Sequence, residues 1–245
     1  MLFRKKRAAD TTPAVPAPAP SSLSLVPLMK SAAVSLEKGG VAGQRAAVYL
    51  VLDRSLSMSR HYASGAVQTL ATQTLALSLH LDDDGVVPTF FFDTKSYPPL
   101  DVRLTHYQGV IADAHRRFGG ARTMGGTHYT IAMRAVIEHY LRTDTTDPAL
   151  VIFQTDGEPQ DHHDTRAQLA AASKLPIFWS FVGFGPDRLP FLEQLDELPG
   201  RVVDNASYFH AGPVPTQLPD GDVYDGITRE FGSWLPAARA AGLLP

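Results

Sequence analysis

Asp53, Ser55 and Ser57 stand at alternate positions directly after the apolar run Ala46-Ala47-Val48-Tyr49-Leu50-Val51-Leu52. The run has the length and the β-branched and aromatic content of a buried strand. In an extended segment alternate side chains point the same way, so one carboxylate and two hydroxyls converge where the strand ends. Hard oxygen donors of this kind suit Mg²⁺ or Ca²⁺. Two other places supply the same chemistry. Thr127 follows Gly125-Gly126 and precedes a helical stretch, and Asp156 lies in Thr155-Asp156-Gly157, after a second strand-like run from Ala149 to Gln154. Five oxygen side chains thus come from three loops.

Each piece has a plainer reading. Asp and Ser after a strand are common helix N-caps. Asp-Gly is a common turn pair, and Thr127 suits an N-cap for the helix that starts near His128. The three matches together, in this order, favour metal ligation over capping alone.

The order D-x-S-x-S, then Thr after Gly-Gly, then Asp-Gly after a strand resembles a von Willebrand factor A domain. The stretches Tyr49-Leu-Val-Leu-Asp-Arg-Ser, Leu81-Asp-Asp-Asp-Gly, Met124-Gly-Gly-Thr, Ala149-Leu-Val-Ile-Phe-Gln-Thr-Asp-Gly-Glu-Pro and Pro176-Ile-Phe-Trp resemble the A-domain branch of the tellurium-resistance (Ter) stress proteins. The similarity runs from about Ala46 to the C-terminus. It implies a metal-ion-dependent adhesion site. Ser55, Ser57 and Thr127 would be hydroxyl ligands, and Asp53 and Asp156 would bind directly or through water. It implies Mg²⁺, with Ca²⁺ or Mn²⁺ as alternatives. It also implies a protein partner presenting an acidic side chain, with Ter-type stress proteins as candidates. The chain departs from the pattern at Leu56, where many A domains have glycine. That puts affinity and partner geometry in question more than the existence of the site.

The elements that must position these residues alternate. Strands are expected at 46–52, 87–92, 149–155, 177–183 and 202–205. Helices are expected at about 65–81, 107–118, 128–141, 164–174, 189–198 and 222–240. Asp93 to Leu104, with Pro98-Pro99, reads as a turn and a short edge strand. Such alternation predicts an α/β fold, a doubly wound and mostly parallel central sheet flanked by helices, with one short antiparallel edge strand. Ligands bind beyond the carboxyl ends of strands in such sheets, where Asp53 and Asp156 both fall. The domain is expected over 45–245. Residues 1–22, rich in Ala and Pro, read as a disordered tail. Residues 23–44 read as a linker, either free or docked in part; Leu25-Val26-Pro27-Leu28 and Ala33-Val34-Ser35-Leu36 fit short strands or a segment packed on the domain.

Composition bounds the function. Of 245 residues 44% are hydrophobic, enough for a substantial core, and the formal charge is −3. That balance does not suggest a general nucleic-acid binder. The only basic run is Arg4-Lys5-Lys6-Arg7. No run approaches the roughly 20 apolar residues of a membrane span. The chain has no cysteine, so disulfides and thiolate metal sites are excluded, and a cytoplasmic location is expected.

The expected function is a divalent-cation-dependent binding module, not an enzyme. The alternative is a metal-dependent phosphohydrolase. Asp53 at a strand end resembles the haloacid-dehalogenase nucleophile, but Ser55 stands where that family wants a second aspartate. Asp161-His162-His163-Asp164 resembles a phosphoesterase signature, yet it precedes a helix, so Asp161 or Asp164 reads as a helix-start residue. Asp82-Asp83-Asp84-Gly85 reads as a solvated turn.

Overall fold

The computed structural model describes residues 24–245; the expected tail and its basic run lie outside the described residues. Six strands form one sheet: β1 (Ala47–Asp53), β2 (Val86–Phe92), β3 (Leu100–Arg103), β4 (Ala149–Thr155), β5 (Ile177–Gly183) and β6 (Ala206–His210). Their order is β3-β2-β1-β4-β5-β6, and only β3 runs antiparallel, against β2. The connections turn outward in both directions from the β1–β4 pair. That pair is therefore the switch point, where the loops leaving neighbouring strands diverge and open a crevice.

Both faces of the sheet are covered, which is why its strands read as continuous apolar runs instead of alternating ones. On one face Val48, Leu50, Leu52, Leu150, Ile152, Phe178 and Val182 pack beneath α3 (Ala66–Leu81) and α8 (Asp220–Ala240), and α1 (Leu25–Lys38) and α4 (Val110–Arg117) add to the same cluster from outside. On the other, Tyr49, Val51, Phe90, Phe92, Phe153, Trp179 and Phe181 pack beneath α5 (Tyr129–Tyr140), α6 (His162–Ala172) and α7 (Pro190–Asp196). A five-residue helix, α2 (Ser59–Ala63), bridges the loop after β1 to α3.

Three expectations are revised. The segment over 23–44 holds the fourteen-residue helix α1 rather than short strands, and its contacts with α3 and α8 agree with the docked alternative. Pro27 sits in its first turn, where a missing N–H costs nothing. Leu28, Ala32 and Leu36, one face of the helix, are buried. The last strand starts at Ala206, not at 202. The Arg201 guanidinium donates to the carbonyls of Asp196 and Leu198 and pairs with Asp204, which folds 201–204 into a turn and leaves Val202 exposed. Helix α2 was not anticipated.

Candidate metal centre

Asp53 closes β1 with its carboxylate fully buried. One oxygen accepts the backbone N–H of Ser55, and the other accepts the Thr155 hydroxyl at 2.6 Å. Its backbone carbonyl accepts the Tyr62 hydroxyl at 3.0 Å. Burial pushes its pKa up to about 7, against the Thr155 and Ser55 hydrogen bonds, which favour the ionised form. Asp53 thus organises the loop, and a nearby cation would complete the stabilisation of its charge.

The outer residues form a chain. Ser55 Oγ lies 3.1 Å from Ser57 Oγ, and Ser57 Oγ donates to Asp156 Oδ1 at 2.6 Å. Asp156 Oδ2 is buried and has no hydrogen-bond partner. An orphaned carboxylate oxygen is costly in a dry setting. The structure therefore joins Asp53, Ser55, Ser57 and Asp156 by direct contacts within β1, β4 and the loops that follow them.

Thr127 is brought to the same end of the sheet by its backbone. Ser55 bridges Gly125 as a strand pair would, with Leu56 N–H donating to the Gly125 carbonyl at 3.0 Å. Gln160 N–H donates to the Thr127 carbonyl at 2.8 Å, and His128 N–H to the Asp93 carbonyl at 3.2 Å. The two glycines lie in close quarters. A methyl group at Gly125 would stand 3.1 Å from the Asp93 carboxyl carbon, and one at Gly126 would stand 2.7 Å from Gln160 Oε1.

The residues beneath the site were not singled out in the sequence. Arg54, between the first two site residues, is fully buried with its guanidinium 4.5 Å from the Tyr97 ring centre and 5.6 Å from that of Phe118. It donates to the Gly120 carbonyl at 3.1 Å, and its Nη1 lies 3.8 Å from Asp93 Oδ2. Asp93 in turn accepts the Tyr97 hydroxyl and the Lys95 N–H. It follows β2 directly, as Asp53 closes β1, and a carboxylate at a third strand end was the legible signal.

Asp161 was expected as a helix-start residue, and it is the N-cap position of α6. Its carboxylate also does something the sequence gave no sign of. It accepts the N–H groups of Tyr129 and Thr130 and the Thr130 hydroxyl, capping α5 from another loop. Burial works against its charge, but these hydrogen bonds outweigh it and hold the carboxyl below its ordinary value. The positive end of α5 beside Thr127 is thus already matched by an anion. Glu158 caps α7 in the same way, through Phe191 N–H at 3.0 Å. His162 stacks on Phe191, 4.2 Å between ring centres.

Among the described residues no three His, Cys, Asp or Glu side chains gather as a metal cage. The candidate donors are of another kind, hydroxyls and carboxylates, and the orphaned Asp156 oxygen fits a cation that such a set would hold.

A family model of the A domain found at the C-terminus of TerF matches residues 45–244. The chain belongs to this TerF-like von Willebrand factor A family. Such domains are in general interaction modules and not enzymes. The uncharacterized protein YcbR of Bacillus subtilis (strain 168) is 29% identical over 216 residues, which are 88% of each chain. Among solved structures, proximal thread matrix protein 1 from the mussel byssus superposes with a TM-score of 0.50 at 12% identity, over 76% of this chain and 47% of that one. The likeness to that protein is one of fold. The chain spans about half the length of that structure. Another structure of the mussel protein, at TM-score 0.47, has a zinc-occupied adhesion-site motif. No helix among the described residues is long and apolar enough to cross a membrane.

Proposed function

We propose that the chain is a cytoplasmic binding module that holds one divalent cation, of the Mg²⁺ class, through Asp53, Ser55, Ser57, Thr127 and Asp156, and recognises a partner's carboxylate there. The observation that carries this reading is the hydrogen-bonded chain from Asp53 to Asp156 at the switch point, ending in a buried carboxylate oxygen without a partner. With three neutral hydroxyls among five donors, a bound cation keeps much of its charge, and an acidic side chain is the group it would attract. Asp53 holds the loop, each of its oxygens accepting one hydrogen bond, from Ser55 N–H and from the Thr155 hydroxyl, and would meet the cation directly or through water. Leu56, 63% exposed between the two serines, is an apolar contact for whatever docks. Family membership supports a stress-response setting tied to tellurite resistance, with Ter-type proteins as the partners to examine first.

The phosphohydrolase reading has less support. Ser55 sits where an acid/base aspartate would be needed. His162 is stacked on Phe191 and faces Glu158, on the α7 side. Hydrolysis needs a positioned proton donor or acceptor besides the metal.

Affinity capture from native lysate separates the readings. Capture by the wild-type chain is expected to be lost in EDTA and in Thr127→Ala, while circular dichroism is unchanged in both. Capture that persists in EDTA would remove the metal bridge. Turnover of an aryl phosphate that disappears in Asp53→Asn would favour the enzyme.

A further inference from the structure

The Asp156 oxygen that lacks a hydrogen-bond partner is not isolated. His61 Nε2 lies 3.8 Å from it, and the two side chains are 4% and 1% exposed. Both belong to the face of the proposed site, but His61 is on α2, an element the hydroxyl and aspartate pattern does not include.

The tautomer of His61 is fixed by its neighbour. Arg60 Nε–H donates to His61 Nε2 at 3.1 Å. Nε2 therefore carries the lone pair, and the ring proton is on Nδ1. A lone pair on nitrogen and a lone pair on a carboxylate oxygen then face each other across 3.8 Å in a buried place, with no proton to share between them. Two donors to one tetrahedral Zn²⁺-class ion, each bound at about 2.1 Å, stand about 3.4 Å apart. A small approach of the two side chains from 3.8 Å would reach that distance. The ring is held in place by Phe184, 5.2 Å between ring centres. Arg60, the group that a cation would displace from Nε2, is exposed.

We propose that His61 Nε2 is a nitrogen ligand of this site, acting with Asp156 Oδ2, and that it gives the site a second binding mode selective for borderline ions such as Zn²⁺ or Co²⁺. Mg²⁺ takes oxygen donors and gains little from imidazole, whereas Zn²⁺ and Co²⁺ gain strongly. The mode rests on the reading of Asp156 as a metal-holding carboxylate. It predicts that the ion preference depends on α2 and not on the serine loop alone.

The test titrates ZnCl₂ and MgCl₂ separately into wild type and His61→Phe, by calorimetry. Phenylalanine keeps the ring packing on Phe184 and removes the nitrogen. Zn²⁺ affinity is expected to fall at least about tenfold, the scale of losing a supporting metal interaction, while Mg²⁺ affinity stays within about twofold. Nitrogen-detected NMR of the wild type should move the His61 Nε2 resonance with Zn²⁺ and leave it with Mg²⁺. Intact Mg²⁺ binding with Zn²⁺ affinity unchanged in His61→Phe overturns the proposal alone. A parallel loss of both ions overturns it too, because His61 would then only support the loop. Absence of binding by either ion to wild type would overturn the metal site itself.

Discussion

At the scale of single residues, the site depends on contacts between neighbours in space that are far apart in the chain. Thr155 and Asp53 are joined by a hydrogen bond, as are Ser57 and Asp156. The contacts among Asp53, Ser55, Ser57 and Asp156 agree with the candidates that D-x-S-x-S and T-D-G suggest, because each motif follows a recognisable strand. Their supports were not legible. Nothing in the sequence pairs Arg54 with Asp93, or Asp161 with the amides of Tyr129 and Thr130, because each pairing crosses between loops whose approach only the folded sheet defines. Another residue-scale consequence lies away from the site. Asp196, at the end of α7, has its pKa pushed up to about 7 by burial, with Glu230 and Asp204 adding like charge. Between about pH 4 and 7 the folded chain keeps that proton and the unfolded chain releases it, so the residue lowers stability as pH rises across this window and adds no further change above it. Asp196→Asn should therefore gain stability over wild type between pH 4 and 7 and hold a constant advantage at higher pH. Urea unfolding at pH 4, 5.5, 7 and 8 measures this; a difference that does not vary with pH would contradict it.

At the scale of elements, the strands and long helices follow from period and length, and most of their expected bounds agree with the structure to within a few residues. The failures have local causes. Helix α1 was read as linker because Pro27 and its short apolar runs break the helical pattern, although Leu28, Ala32 and Leu36 fall on one face. Helix α3 carried a complementary clue. It carries no Asp, Glu, Lys or Arg and is buried nearly all round, Thr72, Gln73, Thr74 and Ser78 included, and a helix without a charged face needs cover on every side; α1 packs against it. The seam between α1 and α8 is equally close. A methyl group at Gly232 would overlap the carbonyl oxygen of Gly39, just beyond α1. Gly232→Ala is expected to cost roughly 1–3 kcal/mol of unfolding free energy, the usual range for overpacking. Denaturant titration checks this, and a variant as stable as wild type, as helix propensity alone would allow, would mean that the seam is looser than it looks.

At the scale of the molecule, the order β3-β2-β1-β4-β5-β6 explains why residues from three loops meet. β1 and β4 are neighbours at the switch point, so Asp53 and Asp156 leave the sheet side by side, and the loop before α5 folds over them through the Ser55–Gly125 bridge. The account stands or falls on a cation at this one place. The most direct measurement is calorimetric titration of MgCl₂ into the metal-free wild-type chain and into Asp156→Ala. The wild type is expected to bind one ion per chain, and Asp156→Ala to bind at least about tenfold more weakly with its circular dichroism unchanged. Equal affinity in the two proteins, or no binding by wild type, would contradict it.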